Sequence, residues 1–134
     1  MSNLKEILIN KQICKSLWFM RQAGRYLPEF REIRLQNQNF IKLCLNRELS
    51  SEITLQPIKR FNLDSAIIFS DILMVPFALG QEVEFVKNMG PRLGELDLKL
   101  LTNDNKNSFI KKLQPVYEAI HITRKKLNKE KSLI

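Results

Sequence analysis

Arg21 and Arg25 flank the small-residue turn Gln22-Ala23-Gly24, directly after the apolar run Leu17-Trp18-Phe19-Met20. A guanidinium stays charged at any physiological pH and offers a planar fork of donors that matches a carboxylate or a phosphate. Small residues between two such forks let a ligand approach the backbone closely. The pattern outlines a polyanion site; the alternative is a loop whose arginines pair with the protein's own acids. A second candidate is Asp71, set between Ser65-Ala66-Ile67-Ile68-Phe69-Ser70 and Ile72-Leu73-Met74-Val75-Pro76. A carboxylate between two apolar runs costs several kcal/mol to bury unless something satisfies it. It could cap a helix, where Ser and Asp are both favoured, or face a ligand from the end of a strand.

The elements that must position these groups follow from the pattern. Leu17 to Met20 reads as a first strand covered on both faces, and Ala66 to Phe69 as a second. In parallel α/β folds the C-terminal strand ends carry the active site, so the arginine turn and Asp71 open on one mouth. Helices are expected over Asn3 to Asn10, over Glu29 to Gln36 after Pro28, and over Ser108 to Asn128. Another spans Arg47 to Phe61, with Pro57 as a kink or end. Gly80 to Val86 alternates through Val83 and Phe85 like a strand or hairpin arm. Gly90, Pro91 and Gly94 mark a loop.

Composition narrows the class. Apolar residues make up 44% and charged residues 27% of the 134, near ordinary globular usage. Neither a signal-peptide pattern nor a run near the roughly 18 apolar residues of a membrane span occurs. Cys14 and Cys44 have no metal-ligand spacing and read as reduced thiols, structural or incidental, so a cytoplasmic location is expected. The net charge of +8 comes from 22 Lys and Arg against 14 acids. Lys111, Lys112, Arg124, Lys125, Lys126, Lys129 and Lys131 could mark nucleic-acid or membrane affinity. They lack interleaved aromatics, and Ile110, Leu113, Val116, Tyr117, Ile120 and Leu127 recur near helical spacing, so a solvated helix face is expected instead. His121, the only histidine, falls on that helix, away from both strand ends.

The segment from Trp18 to Arg34 resembles the uroporphyrinogen decarboxylase family, notably Met20-Arg21-Gln22-Ala23-Gly24-Arg25-Tyr26-Leu27-Pro28-Glu29-Phe30-Arg31. So do Thr54-Leu55-Gln56-Pro57, the stretch from Asp64 to Gly80 and the pair Gly90-Pro91. The fold this implies is α/β, the N-terminal part of a (β/α)8 TIM barrel truncated before the third core strand. Such barrels typically need about 250 residues. Residues 1–134 would be one N-terminal fragment of that barrel domain, and Lys131-Ser132-Leu133-Ile134 resemble the opening of the next core strand.

The resemblance also implies a chemistry: cofactor-free and metal-free removal of four acetate carboxyls from uroporphyrinogen III, giving coproporphyrinogen III. Arg21, Gln22, Ala23, Gly24, Arg25, Arg34 and Asp71 are then the substrate-binding positions. Asp71 is also the catalytic group, a carboxylate facing the pyrrole N–H groups and stabilising the transition state. Tyr26, Pro28, Glu29 and Phe30 need only be architectural. The implied partners are the tetrapyrrole and a family homodimer, with no nucleic acid and no membrane. The fragment alone is expected to be inactive. The alternatives are a non-catalytic remnant or a tetrapyrrole- or partner-binding fragment.

Overall fold

Two asparagines start the helices that carry the scaffold. Asn39 Oδ1 accepts the Lys42 N–H at 2.9 Å at the head of one short helix, and Asn46 Oδ1 accepts the Leu49 N–H at 3.1 Å at the head of the next. Each satisfies a donor that a helix terminus otherwise leaves unpaired. In chain order the elements of this computed structural model are α1 (Asn3–Asn10), α2 (Pro28–Gln36), α3 (Phe40–Cys44), α4 (Arg47–Phe61), β1 (Ser65–Ala66) and α5 (Met74–Leu79). There follow β2 (Val83–Val86), β3 (Gly90–Leu93), a 3-10 turn (Leu98–Leu101), α6 (Lys106–Lys126) and β4 (Ser132–Leu133). The structure describes residues 3–11, 13, 15–86, 89–95, 97–101 and 106–134. Cys14 lies outside them.

The helix α4 is the central post. It buries every residue from Ser50 to Ile58 except Glu52, and it runs through Pro57 without ending there. It stops at Asn62, whose φ of 48° is left-handed, a conformation that Asn tolerates better than most side chains. Ile53 packs with Leu27, Phe30 and Leu43 beneath the arginine turn. Leu55 and Ile58 pack with Leu63, Ala66 and Leu127 beneath the sheet. A third cluster joins Cys44, Met74, Ala78 and Leu113. Full burial of each Leu or Ile side chain contributes about 1.5–3 kcal/mol. On α6 the buried stripe is Leu113, Ala119 and Thr123, continued by Leu127 just past the helix, while Ile110, Tyr117 and Ile120 stay exposed. The expected helix is there, but only part of its expected apolar stripe is buried.

The strand β1 pairs with β4 in parallel, Ser65 opposite Ser132 and Ala66 opposite Leu133. Ile134 extends the ladder, donating to Ala66 O at 2.8 Å and accepting from Ile68 N at 2.9 Å. This makes a strand–helix–strand crossover through α6, the unit from which parallel α/β sheets are built. A separate antiparallel hairpin joins β2 and β3, with Phe85 opposite Pro91.

Three expectations need correction. Leu17 to Met20 forms no strand and is not covered on both faces: Leu17 is 59% exposed and Met20 78%. The segment lies beside β1 with one main-chain bond, Asp64 N–H to Leu17 O at 2.9 Å, too little for a ladder. The regular strand after α4 is Ser65–Ala66 rather than Ala66 to Phe69, because Phe69 bonds to side chains of α4 instead of to a neighbouring strand. Gly90 to Leu93 is a hairpin strand rather than a loop. Proline is tolerated there because the strand is an exposed edge.

Candidate functional site

The residues that follow Met20 form a tight turn held from several sides. Leu27 N–H donates to Gly24 O at 3.0 Å, closing the turn, and Leu27 is inserted into the core below. The Tyr26 hydroxyl donates to the Gln22 carbonyl. The Arg31 guanidinium donates to Arg25 O at 2.8 Å. Gln22 itself is 4% exposed: its amide nitrogen donates to Ser65 O at 2.7 Å and its amide oxygen accepts from Ile67 N at 3.1 Å. Architectural residues thus fix the backbone of the turn and leave the Arg21 and Arg25 side chains exposed.

The chain leaving β1 is fixed from the other side. The Thr54 hydroxyl accepts the Phe69 N–H at 2.8 Å and the Ser50 hydroxyl donates to the Phe69 carbonyl at 2.6 Å. Both groups of one peptide-chain residue are thereby satisfied without a strand partner. Two residues on, Asp71 is half-buried, and its Oδ1 accepts the Leu73 N–H at 2.9 Å. The carboxylate therefore closes the turn ahead of α5 rather than capping the helix itself, whose N-cap residue, Leu73, makes no side-chain cap hydrogen bond. Its second oxygen has no hydrogen-bond partner among the described residues.

These two fixed segments face one cleft of about 520 Å³. Arg21, Gln22, Ala23, Gly24, Arg25, Arg34 and Asp71 all line it. It therefore gathers every site residue expected from the sequence. Arg21 and Arg25 form no ion pair with any acid among the described residues, so the self-pairing alternative does not hold there. Self-pairing is what other arginines do: Arg60 forks onto Glu29 at 2.9 and 3.1 Å, and Arg47 meets Glu118 at 2.6 Å. Arg34 is partly engaged, donating to the carbonyls of Asn37 at 2.5 Å and Gln38 at 3.1 Å. Its guanidinium also lies 5.4 Å from the centre of the Phe40 ring, within cation–π range.

An aromatic wall was not foreseen. Phe69 meets Phe30 and Phe40 edge-on, with ring centres 5.8 and 5.9 Å apart, and Phe40 meets Phe85 of the hairpin at 4.7 Å. All four rings line the cleft, with Gly90 and Pro91 from β3. Tilted and edge-on ring pairs are the favoured aromatic geometry. Alternation in β2 could have placed Phe85 on an inward face; nothing local pointed to Phe40. His121 is exposed on α6 and borders a different hollow, with Arg47, Gln114, Tyr117, Glu118 and Ile122. Cys44 is buried, and burial, with Asp71 second, pushes its thiol up to about 12 against the opposing pull of Arg34. Among the described residues no three His, Cys, Asp or Glu side chains converge as a metal site would need.

Two guanidiniums, a carboxylate and an aromatic wall gather beside a parallel strand–helix–strand unit, and the class is an α/β protein with a cleft on that side of the pair. Comparison with known proteins gives the family. Residues 14–134 match the family model for uroporphyrinogen decarboxylase (URO-D), and the chain belongs to that family. It is 51% identical over 122 residues to a uroporphyrinogen decarboxylase of Orientia tsutsugamushi (strain Ikeda), covering 88% of this chain and 34% of that protein. Over 118 residues it is 47% identical to one from Chelativorans sp. (strain BNC1), covering 88% and 34%, and 45% identical to one from Brucella ovis, covering 88% and 35%. The chain thus spans about a third of the length of the curated relatives it matches.

Proposed function

We propose that this chain supplies the arginine turn and the central carboxylate of a uroporphyrinogen decarboxylase, as the N-terminal part of a (β/α)8 barrel. The observation that carries this reading is that two guanidiniums without an acid partner among the described residues line the same cleft as Asp71. A tetrapyrrole with eight carboxylates around its rim and four N–H groups at its centre presents the complementary pattern. Arg21 and Arg25 hold rim carboxylates, as bidentate forks do. Arg34, with part of its donor capacity spent on the end of α2, adds a third positive charge behind them. The aromatic wall packs against the pyrrole rings.

The reaction is written for one acetate arm. A proton adds to a ring carbon, and the pyrrole becomes a cation. The bond from methylene to carboxylate breaks, its electron pair flows into the ring, and carbon dioxide leaves. A proton then adds to the methylene carbon to give methyl, and the ring proton is released. Asp71 accepts the pyrrole N–H groups and stabilises the cationic stage with a charge fixed in advance, an effect whose removal commonly costs on the order of 10²–10³ in rate. The electron sink belongs to the substrate, so the scheme asks for no cofactor. A guanidinium is too weak an acid to be assigned the proton donor, so the arginines are given binding roles.

Turnover, in this reading, needs the rest of the family's length. The exposed run Leu17-Trp18-Phe19-Met20 supports that requirement, since an apolar edge of this kind calls for cover. The same observation favours the second reading, a piece that binds tetrapyrrole or a partner without turning substrate over. A family homodimer and a cytoplasmic location remain part of the proposal. The test is an anaerobic assay of the chain with uroporphyrinogen, following both binding and product. Saturable binding without coproporphyrinogen supports the proposal; conversion by the chain alone removes the need for the remaining length, and absence of binding removes the substrate assignment.

A further inference from the structure

The position of Gln22 against β1 carries an inference that rests on the reading of the cleft above. In a parallel ladder, a strand residue bridges two groups of its neighbour, donating to the carbonyl of one residue and accepting from the amide two positions on. On one edge of β1 that neighbour is β4: Ile134 donates to Ala66 O and accepts from Ile68 N. Backbone groups alternate along a strand, so Ser65 O and Ile67 N face the opposite edge. There they meet no peptide group. They meet the Gln22 carboxamide, which donates to Ser65 O at 2.7 Å and accepts from Ile67 N at 3.1 Å. A carboxamide has the donor and acceptor of a peptide unit, and this one is buried and spends both on β1.

We infer that Gln22 is a positioning residue, whose carboxamide takes the place of a strand's peptide group beside β1 and so fixes the arginine turn relative to Asp71. Its own carbonyl is held by the Tyr26 hydroxyl, so the residue is gripped at both ends. Arg21 and Arg25 stand one and three residues away on the turn it anchors, and Asp71 stands four residues beyond Ile67 on the segment that leaves the strand it grips. Gln22 therefore acts through the guanidiniums and the carboxylate rather than by touching a ligand.

The side-chain replacements that separate the possibilities are Gln22→Met, which keeps length and loses both hydrogen bonds, and Gln22→Glu, which keeps the acceptor for Ile67 N–H and loses the donor to Ser65 O. Three quantities are read on the full chain by NMR and anaerobic titration. They are amide exchange at Ile67, backbone order of residues 21 to 25, and affinity for uroporphyrinogen. In Gln22→Met, Ile67 is expected to exchange roughly tenfold faster, with the amides of Ser132 and Ile134 still protected by β1. The turn loses order, and uroporphyrinogen binds about 10- to 100-fold more weakly, the scale on which small misplacements act. Gln22→Glu is expected to leave Ile67 protected and the turn partly disordered, and it decides the matter should the methionine variant not fold. Unchanged Ile67 exchange in Gln22→Met, or an ordered turn in whichever variant folds, overturns the assignment. An affinity that survives loss of turn order overturns it as well. If the unsubstituted chain binds no uroporphyrinogen, the tetrapyrrole reading fails, and the exchange and order measurements still decide what Gln22 does.

Discussion

The Thr54 hydroxyl accepts the Phe69 N–H at 2.8 Å across 15 residues of sequence, and in the same geometry donates to its own helix at Ser50 O, 2.7 Å away. Helix α4 thereby holds the segment leaving β1 in place of a neighbouring strand. Thr54 is 1% exposed, so no water stands ready to replace it.

Thr54→Val keeps the shape and leaves the Phe69 N–H without an acceptor. The expected loss is about 1–3 kcal/mol of stability, the cost of an orphaned donor. Thr54→Ser restores the bond and most of the stability. Urea denaturation of the three proteins measures both differences.

Leu27 lies directly under the arginine turn, 1% exposed, in the cluster with Phe30, Leu43 and Ile53. Leu27→Ala removes three buried carbon atoms and leaves a hole. A destabilisation of about 2–5 kcal/mol is expected. Ligand affinity should fall further than in a variant of equal stability cost at Leu127, which packs beneath the sheet instead. Paired denaturation and titration curves give the comparison.

Cys44 is fully buried, and its thiol is raised to about 12. A folded-state value above the unfolded one means that the folded chain binds the proton more tightly. That contribution is fully present below the unfolded value of about 8.5, and it is lost as pH rises through about 12. At neutral pH the thiol is protonated and shielded. Peptide mapping after brief treatment with a thiol reagent should find Cys44 unmodified in the native chain and modified in urea.

Glu29 and Glu118 are held below the usual carboxylate range, first by hydrogen bonds from Arg60 and from Arg47 respectively. For a depressed carboxylate the stabilisation is present above the ordinary value of 4.5 and is lost as pH falls through the lower folded value. Glu29→Gln and Glu118→Gln should therefore be less stable than the original above pH 4.5, with the difference closing as pH falls. Added salt should shrink the difference, since both pairs are open to solvent. Denaturation midpoints measured across pH 3 to 6 test this.

Where local chemistry decides, the elements are legible in the sequence. Pro28 begins α2, and α4 runs from Arg47 to Phe61 as its apolar spacing indicates, with Pro57 absorbed in its interior. The Arg21 to Arg25 turn and Asp71 were visible as chemistry, and one cleft brings them together. What remained hidden depends on distant partners. Leu17 to Met20 reads as a buried strand from composition alone, yet strand formation needs a ladder, and one bond to Asp64 does not make one. Gly90-Pro91 reads as a loop until Val86 and Phe85 are known to pair with it. The short helix α5 contains Pro76 and is too brief for any period to register. The roles of Gln22, Ser50 and Thr54 are hidden for the same reason, because each side chain completes a backbone far away in sequence.

The central claim is that Arg21, Arg25 and Asp71 form one polycarboxylate site, and the most direct measurement is anaerobic calorimetric titration of uroporphyrinogen into the chain and into Arg21→Ala/Arg25→Ala. Each charge-assisted bond is worth about 1.5–3 kcal/mol, so the double variant should bind at least roughly 100-fold more weakly while melting like the original. Arg60→Ala, whose guanidinium is engaged by Glu29, should bind as the original does. Equal affinity in the original and the double variant would contradict the account.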